Sequence, residues 1–149
     1  MEKPPMHFES PETPDEQFEA DMQQTIKELT NLKEGVNFMR GIPFIYEIVA
    51  GKKRDKVNEK QPAKGKMVPT LDPYAHYEGI YEIYRVGVWQ GVPEKYKPIL
   101  VAHELKEHDS GSHKEAFEYE IEIARRVLNE QEFEEYKKWR ERYNKKNLN

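Results

Sequence analysis

Three of the five histidines lie close together in the sequence, among several glutamates. In the stretch VAHELKEHDSGSHKEAFEYEIE, which spans residues 101–122, they are His103, His108 and His113. Residues four positions apart share one face of an α-helix, so His103 and Glu107 project together, and Glu104 and His108 form a neighbouring column. Imidazole and carboxylate groups are both ligands of transition-metal ions. The spacing therefore predicts a metal site in this stretch.

The residues from His103 to Glu107 form the pattern HExxE. It differs by one residue from the HExxH helix, in which two histidines bind zinc and the adjacent glutamate activates a water molecule. Zinc also accepts carboxylate oxygen, so Glu107 could replace the second histidine with the same geometry. Glu104 would then lie beside the ion as the general base. The pattern predicts one zinc ion bound by His103 and Glu107, with Glu104 as the catalytic residue.

The remaining ligands must come from the segment that follows. The turn at residues 109–112, DSGS, would fold the next helix back beside the first and so place His113 as the third ligand. The chain has no cysteine, which excludes thiolate ligands and leaves only imidazole and carboxylate. Further candidate ligands are His108, Glu118 and Glu120.

The same residues also have a purely structural interpretation. His103 and Glu107 could form a hydrogen-bonded pair in the core, where a carboxylate needs a protonated histidine or an arginine as its partner. His113 would then only begin a helix, and Glu118 and Glu120 would belong to its solvated face. In this second hypothesis the protein is a non-catalytic α+β interaction module with a structural His/Glu cluster. Its partner would dock on the apolar strand or on the final helix, where Trp139 and Tyr143 lie near the C-terminus.

The surrounding elements predict a small α+β domain over residues 13–143. The capping box Thr13-Pro14-Asp15-Glu16 predicts a helix that runs to about Lys33 and ends before Gly35. Further helices are predicted from about residue 96, from residue 113 and from residue 130. The first of these carries HExxE and is apolar nearly all round at its start, which predicts that it is buried. The predicted strands cover residues 41–50, 67–71 and 77–89.

Three segments fall outside this pattern. Residues 1–12 predict a disordered arm, and residues 144–149 predict a frayed tail. Residues 52–66 carry seven Lys or Arg side chains and predict a solvated basic loop. This loop is the one place where phosphate contact would be expected, but the net charge of −4 argues against nucleic acid as a partner.

Composition limits the class of protein. Hydrophobic residues make up 36% of the chain and charged residues 35%, which predicts a small core. The sequence contains neither a secretory signal nor an apolar run of about 18 residues. We therefore expect a cytoplasmic protein without a membrane partner. The sequence gives no indication of the oligomeric state.

With these elements in place, the central stretch resembles the zincin-like metallopeptidases in an HExxE variant. A strand, a buried helix with HELxE and a further helix with a downstream His and Glu are similar to the arrangement in uncharacterised small zincin-like proteins. The resemblance covers about residues 79–136. It implies a zincin-like domain with zinc on His103, Glu107 and His113, Glu104 as the catalytic acid/base, and a peptide or protein substrate. We expect an edge strand near residues 81–88 to hold that substrate in an extended conformation.

Overall fold

The computed structural model describes residues 13–51, 56–71 and 80–148. Four helices and four strands are present in these residues. They are α1 (Pro14–Leu29), β1 (Gly35–Met39), β2 (Ile42–Val49), β3 (Ala63–Leu71), β4 (Ile80–Trp89), α2 (Lys97–Ser110), α3 (His113–Val127) and α4 (Glu130–Leu148), with one 3-10 turn at Glu94–Tyr96. This confirms the predicted α+β class. The predicted arm at residues 1–12 lies outside the described residues, as do residues 52–55 of the basic loop and residues 77–79 of the third predicted strand.

The strands form one mixed sheet in the order β1-β2-β4-β3. β2 and β4 are parallel, whereas the β1–β2 and β3–β4 pairs are antiparallel. Tyr84 of β4 pairs with Phe44 on one side and with Met67 on the other. β4 therefore lies inside the sheet, and the prediction of an edge strand at residues 81–88 is wrong because both of its sides already have partners. The edges of the sheet are β1 and β3.

The first predicted helix is shorter than expected, and the strand that follows it was missed. α1 begins at the predicted capping box, but it ends at Leu29. Gly35, with φ of 104°, starts β1 instead of merely ending the helix. The buried Asn37 side chain stabilises this connection, since its amide donates to the carbonyl oxygens of Lys33 at 2.6 Å and Gly35 at 3.0 Å. The hydrogen bonds of the Asn37 side chain thus stabilise the connection between α1 and β1.

The predicted basic loop is partly ordered structure. Residues 63–66 belong to β3, so the strand is longer than predicted. Before it, the Asn58 side chain accepts hydrogen bonds from the backbone N–H groups of Lys60 and Gln61 and shapes a tight turn. Val57 is fully buried and anchors this segment against Gly87 of β4. Lys64 and Lys66 alternate with Ala63, Gly65 and Met67, and such alternation of charged and uncharged residues is typical of a strand.

α2 is the buried helix of the domain, as predicted. Its residues from Ile99 to His103 are all buried, and it packs against β3, β4 and α3. At its first residue, the buried Lys97 side chain donates to the Val92 carbonyl oxygen at 2.6 Å and to the Glu94 carboxylate at 2.7 Å. None of the helices in residues 13–51, 56–71 and 80–148 has the length and apolar character needed to span a bilayer.

α4 packs through an aromatic cluster. The ring of Tyr96 lies 4.7 Å from that of Tyr136 and 5.0 Å from that of Trp139, measured between centroids. Tyr143 packs on Trp139 in turn, at 5.1 Å. Trp139 therefore lies on the side of α4 that packs against the rest of the domain. The backbone of α4 remains helical to Leu148, beyond the predicted end at Tyr143.

The side chain of Tyr84, on β4, lies over Gly65 of the neighbouring strand β3. A Cβ atom on Gly65 would lie 2.0 Å from the Tyr84 hydroxyl oxygen, so no side chain fits under this ring. The hydroxyl group of Tyr84 donates to the Glu104 carbonyl oxygen on α2, at 3.2 Å. Gly65 thus lets Tyr84 connect the sheet to the helix that carries the HExxE pattern.

This packing predicts that Gly65→Ala lowers the free energy of unfolding by about 1–3 kcal/mol, because the added methyl group displaces the Tyr84 ring. Urea denaturation of Gly65→Ala, Tyr84→Ala and the double variant measures the coupling between the two sites. The glycine substitution should cost clearly less in the Tyr84→Ala background. An equal cost in both backgrounds would show that the ring does not depend on Gly65.

Candidate metal centre

Three predicted ligands converge where α2 ends and α3 begins. One donor atom each from His103, Glu107 and His113 lies within 4.8 Å of the other two. Nε2 of His103 is 3.3 Å from Oε1 of Glu107, and Nδ1 of His113 is 3.7 Å from Oε2 of the same carboxylate. Donors bound at about 2.0–2.2 Å to a tetrahedral zinc ion are about 3.3–3.6 Å apart. The group could therefore hold a metal ion with small side-chain adjustments.

The local sequence explains this convergence. His103 and Glu107 are one helical turn apart on α2, so both project towards the same side. Gly111 adopts the left-handed conformation, with φ of 71°, and ends the helix at a point where a side chain would be disfavoured. Ser112 then caps α3 by accepting a hydrogen bond from the backbone N–H of Glu115 at 3.1 Å. His113 is consequently the first residue of the returning helix and faces the α2 pair.

Glu120 lies behind His103 and not among the donor atoms. Its Oε1 is 2.7 Å from Nδ1 of His103, and both side chains are almost completely buried. Arg140 donates to the two oxygens of Glu120 at 2.6 and 3.0 Å, and the Tyr136 hydroxyl group donates to Oε2. Because both oxygens are occupied in this way, Glu120 fixes the imidazole and leaves Nε2 pointing to the candidate site. A carboxylate in this position orients a metal-binding histidine and increases its basicity.

The buried charges shift the pKa values of the pair. Burial alone lowers the pKa of His103, but the hydrogen bond and negative charge of Glu120 outweigh it, so the pKa is raised. Burial alone raises the pKa of Glu120, but the hydrogen bond from His103 and the charge of Arg140 outweigh it, so this pKa is lowered. A metal ion at Nε2 of His103 would compete with any proton on that nitrogen, so zinc binding would depend on pH.

Glu104 faces the same open space as the donor atoms. An open cavity of about 520 Å³ lies between β3 and α2 and is lined by residues 61–67, Tyr84, Leu100, His103, Glu104, Glu107, His108, His113 and Arg140. Burial raises the pKa of Glu104 to about 7; the charge of His103 opposes this shift and that of Glu107 adds to it. This carboxyl group is therefore suited to exchange a proton near neutral pH.

Two predicted further ligands are not part of the donor group. His108 is exposed and stacks on Tyr84, with 4.0 Å between ring centroids and 20° between ring planes. Glu118 is exposed on another side of α3, near Lys106 and Glu122. His113, in contrast, makes no hydrogen bond to the described residues, and its buried Nε2 lacks a partner among them. Its imidazole is thus available to a ligand.

The contribution of α4 to the site was not predicted from the sequence. Arg140 and Tyr136 are four positions apart and share one face of that helix, and this spacing is visible in the sequence. The need of a buried carboxylate for an arginine or a protonated histidine was predicted for Glu107, but it applies to Glu120. Glu107 is in fact 39% exposed, whereas Glu120 is fully buried. Side-chain spacing within one helix could not indicate which distant helix supplies the partner.

Comparison with known proteins gives no match to a protein family, a curated protein or a solved structure. The resemblance to zincin-like metallopeptidases accordingly stays a prediction from the residues of the central stretch.

The buried network predicts that Glu120→Gln, in the presence of EDTA, lowers the free energy of unfolding by about 3–5 kcal/mol. The reason is that Arg140 would keep its charge in the interior without a carboxylate. The matched control is Glu118→Gln on the exposed side of the same helix, which should change stability by less than about 0.5 kcal/mol. Urea denaturation compares the two variants, and equal stabilities would show that the network does not hold the helices together.

Proposed function

We propose that the protein is a zinc-dependent hydrolase of the peptidase type. His103, Glu107 and His113 would bind one zinc ion, and Glu104 would accept a proton from the attacking water. The observation that carries this proposal is the convergence of three donor atoms within 4.8 Å of one another. The proposal is further supported by the buried Glu120, which occupies Nδ1 of His103 and leaves Nε2 for the ion.

The donor set fits a catalytic ion better than a structural one. Three protein ligands leave the fourth position of a tetrahedral zinc ion open, whereas structural sites close all four. That open position would face the cavity, because the three donor residues line it together with Glu104. A zinc ion in such a site lowers the pKa of a bound water to about 7.

Glu104 is the general base in this proposal. It follows His103 directly and lines the same cavity, but it is not part of the donor group. A cation beside this carboxyl group would lower its pKa from about 7 and keep it ionised, so that it could accept a proton from water and return it to a leaving group. The stacked Tyr84 and His108 rings also line this cavity.

The edge strand β3 is the element suited to hold a substrate. It has only β4 as a strand neighbour among the described residues, and its residues 63–67 line the cavity. An extended peptide can add to an exposed edge through backbone hydrogen bonds. β3 thus takes the role that the sequence analysis assigned to residues 81–88.

A second candidate function is a non-catalytic module whose His/Glu cluster is structural. It is favoured by the buried network itself, which satisfies His103 without an ion through Glu120 on one side and Glu107 on the other. In that case the network would serve only to join α2, α3 and α4. Zinc binding distinguishes the two candidates.

The proposal predicts one zinc ion per chain when protein purified without an affinity tag is stripped with EDTA and titrated with zinc chloride. Loss of a group that only orients a metal ligand weakens metal binding about 10–100-fold. His103→Ala and His113→Ala each remove a ligand and should weaken zinc binding by more than this. His108→Ala is the matched control and should bind as the wild type does. Absence of stoichiometric binding in the wild type would leave the structural cluster as the explanation.

The proposal also predicts that Glu104→Gln keeps zinc but loses activity. Hydrolysis of quenched fluorescent peptides should fall by about 10²–10⁴-fold, because the substitution removes the proton acceptor and no ligand. Glu115→Gln, on the exposed start of α3, is the control and should cleave at the wild-type rate. Zinc affinity is measured on the same samples. Unchanged cleavage by Glu104→Gln would remove this residue from the mechanism.

A further inference from the structure

A second cavity, of about 450 Å³, lies next to the first on the same side of the sheet. Met39, Ile42 and Phe44 of the β1–β2 hairpin form one wall. Met67 of β3 and Leu105 of α2 form another. We call this space the apolar cleft. Pockets of this volume with predominantly apolar walls are typical of ligand sites.

The apolar cleft adjoins the candidate metal cavity. Both spaces share Met67, Tyr84 and His108. The stacked rings of Tyr84 and His108 separate them, and the Tyr84 ring is held in place by its hydrogen bond to α2 and by the absence of a side chain at Gly65. Met67 of β3 therefore lies at the boundary of both spaces, beside these rings.

The periodicity of β3 relates the two spaces to a bound peptide. Ala63, Gly65 and Met67 lie on the face of the sheet that meets α2, at intervals of two residues. Two residues of a strand span about 6.6–6.8 Å. An extended chain along β3 would thus carry one side chain into the metal cavity and its next same-face side chain towards the apolar cleft.

The exposed residues around the cleft also indicate an apolar occupant. Ile42 is 64% exposed and Met67 is 41% exposed, and both are large hydrophobic side chains that line it. Such a cluster at a concave surface is typical of a binding site. The charged rim carries both signs, from Arg40, Glu82 and Asp109. A charged occupant would bury part of its charge against the apolar interior walls, whereas an apolar side chain gains contact with that surface.

We infer that the apolar cleft is a specificity pocket, which takes an apolar side chain of the extended peptide bound at the metal site. That side chain would lie about two residues from the scissile bond, and on one side of it only. This inference rests on the proposed hydrolase function and adds the substrate class, which is an extended peptide with a leucine-like residue at that position.

The first experiment tests the cleft without any hydrolysis. Methyl NMR spectra of the wild type are recorded with N-acetyl-leucine amide and with N-acetyl-asparagine amide, which has a similar size but a polar side chain. The leucine probe should shift the methyl signals of Met39, Ile42 and Met67, and the asparagine probe should not. Ile42→Lys, which places a charge at the mouth, should weaken leucine-probe binding at least about 10-fold. Val127→Lys, at a comparably exposed apolar residue of α3 outside the cleft, should leave it unchanged.

The second experiment tests the substrate. Zinc-loaded protein is given peptide libraries in which one position at a time is varied on each side of the cleaved bond. Leucine, methionine or phenylalanine should be preferred at a single position, and Ile42→Lys should reduce kcat/KM for these peptides at least about 10-fold and favour aspartate or glutamate there. The zinc affinity of Ile42→Lys should equal that of the wild type.

The outcomes separate the two proposals. If the leucine probe does not shift these methyl signals, or if cleavage shows no apolar preference, the specificity pocket is overturned and the hydrolase proposal stands on its own tests. If the probe binds in the cleft but no zinc-dependent cleavage occurs, the proposed function fails, and with it the assignment of the occupant as a substrate side chain. Binding together with a preference at one position supports the inference.

Discussion

The ion pair between Arg140 and Glu120 is the interaction on which the rest of the site depends. Glu120 is fully buried, and a carboxylate in the interior is tolerated only with good partners. Arg140 supplies a positive charge and two hydrogen bonds. Oε1 of Glu120 also forms a hydrogen bond with Nδ1 of His103. The orientation of His103 is thus a consequence of how α3 and α4 pack, although the histidine itself belongs to α2.

The remaining geometry follows from two short features of the backbone. Gly111 lets α2 end one turn after Glu107, and Ser112 begins α3 immediately, so His113 returns to the end of α2. On the other side of the cavity, Gly65 lets the Tyr84 ring cross β3 and contact α2. Glycine thus has different roles at the two positions. At Gly111 the backbone needs a positive φ, whereas at Gly65 a neighbouring ring occupies the space of a side chain.

Much of the fold and of the donor group could be predicted from the sequence because the signals are local. The capping box at Thr13 and the serine at position 112 marked two helix starts, and the helical spacing of His103 and Glu107 brought the α2 donors together. The edge of the sheet could not be predicted in this way, since strand order depends on contacts between distant segments. Pro69 and the lysines within residues 63–71 are the signal that indicates an edge strand there, because proline and charge are both typical of sheet edges. The role of Glu120 depended equally on a distant partner in α4.

The route by which α4 reaches His103 links the candidate site to the order of the C-terminal helix. Tyr136 and Arg140 are one turn apart and both contact Glu120, while Trp139 between them packs on Tyr96 at the start of α2. Any loosening of α4 would remove the donors that keep Glu120 ionised, and His103 would lose the partner that selects its tautomer. Thermodynamic linkage requires the converse as well, so that a ligand which needs the Nε2 lone pair of His103 would tighten the attachment of α4. Protection of the α4 amides against hydrogen exchange is therefore a remote reporter of what occupies the cavity.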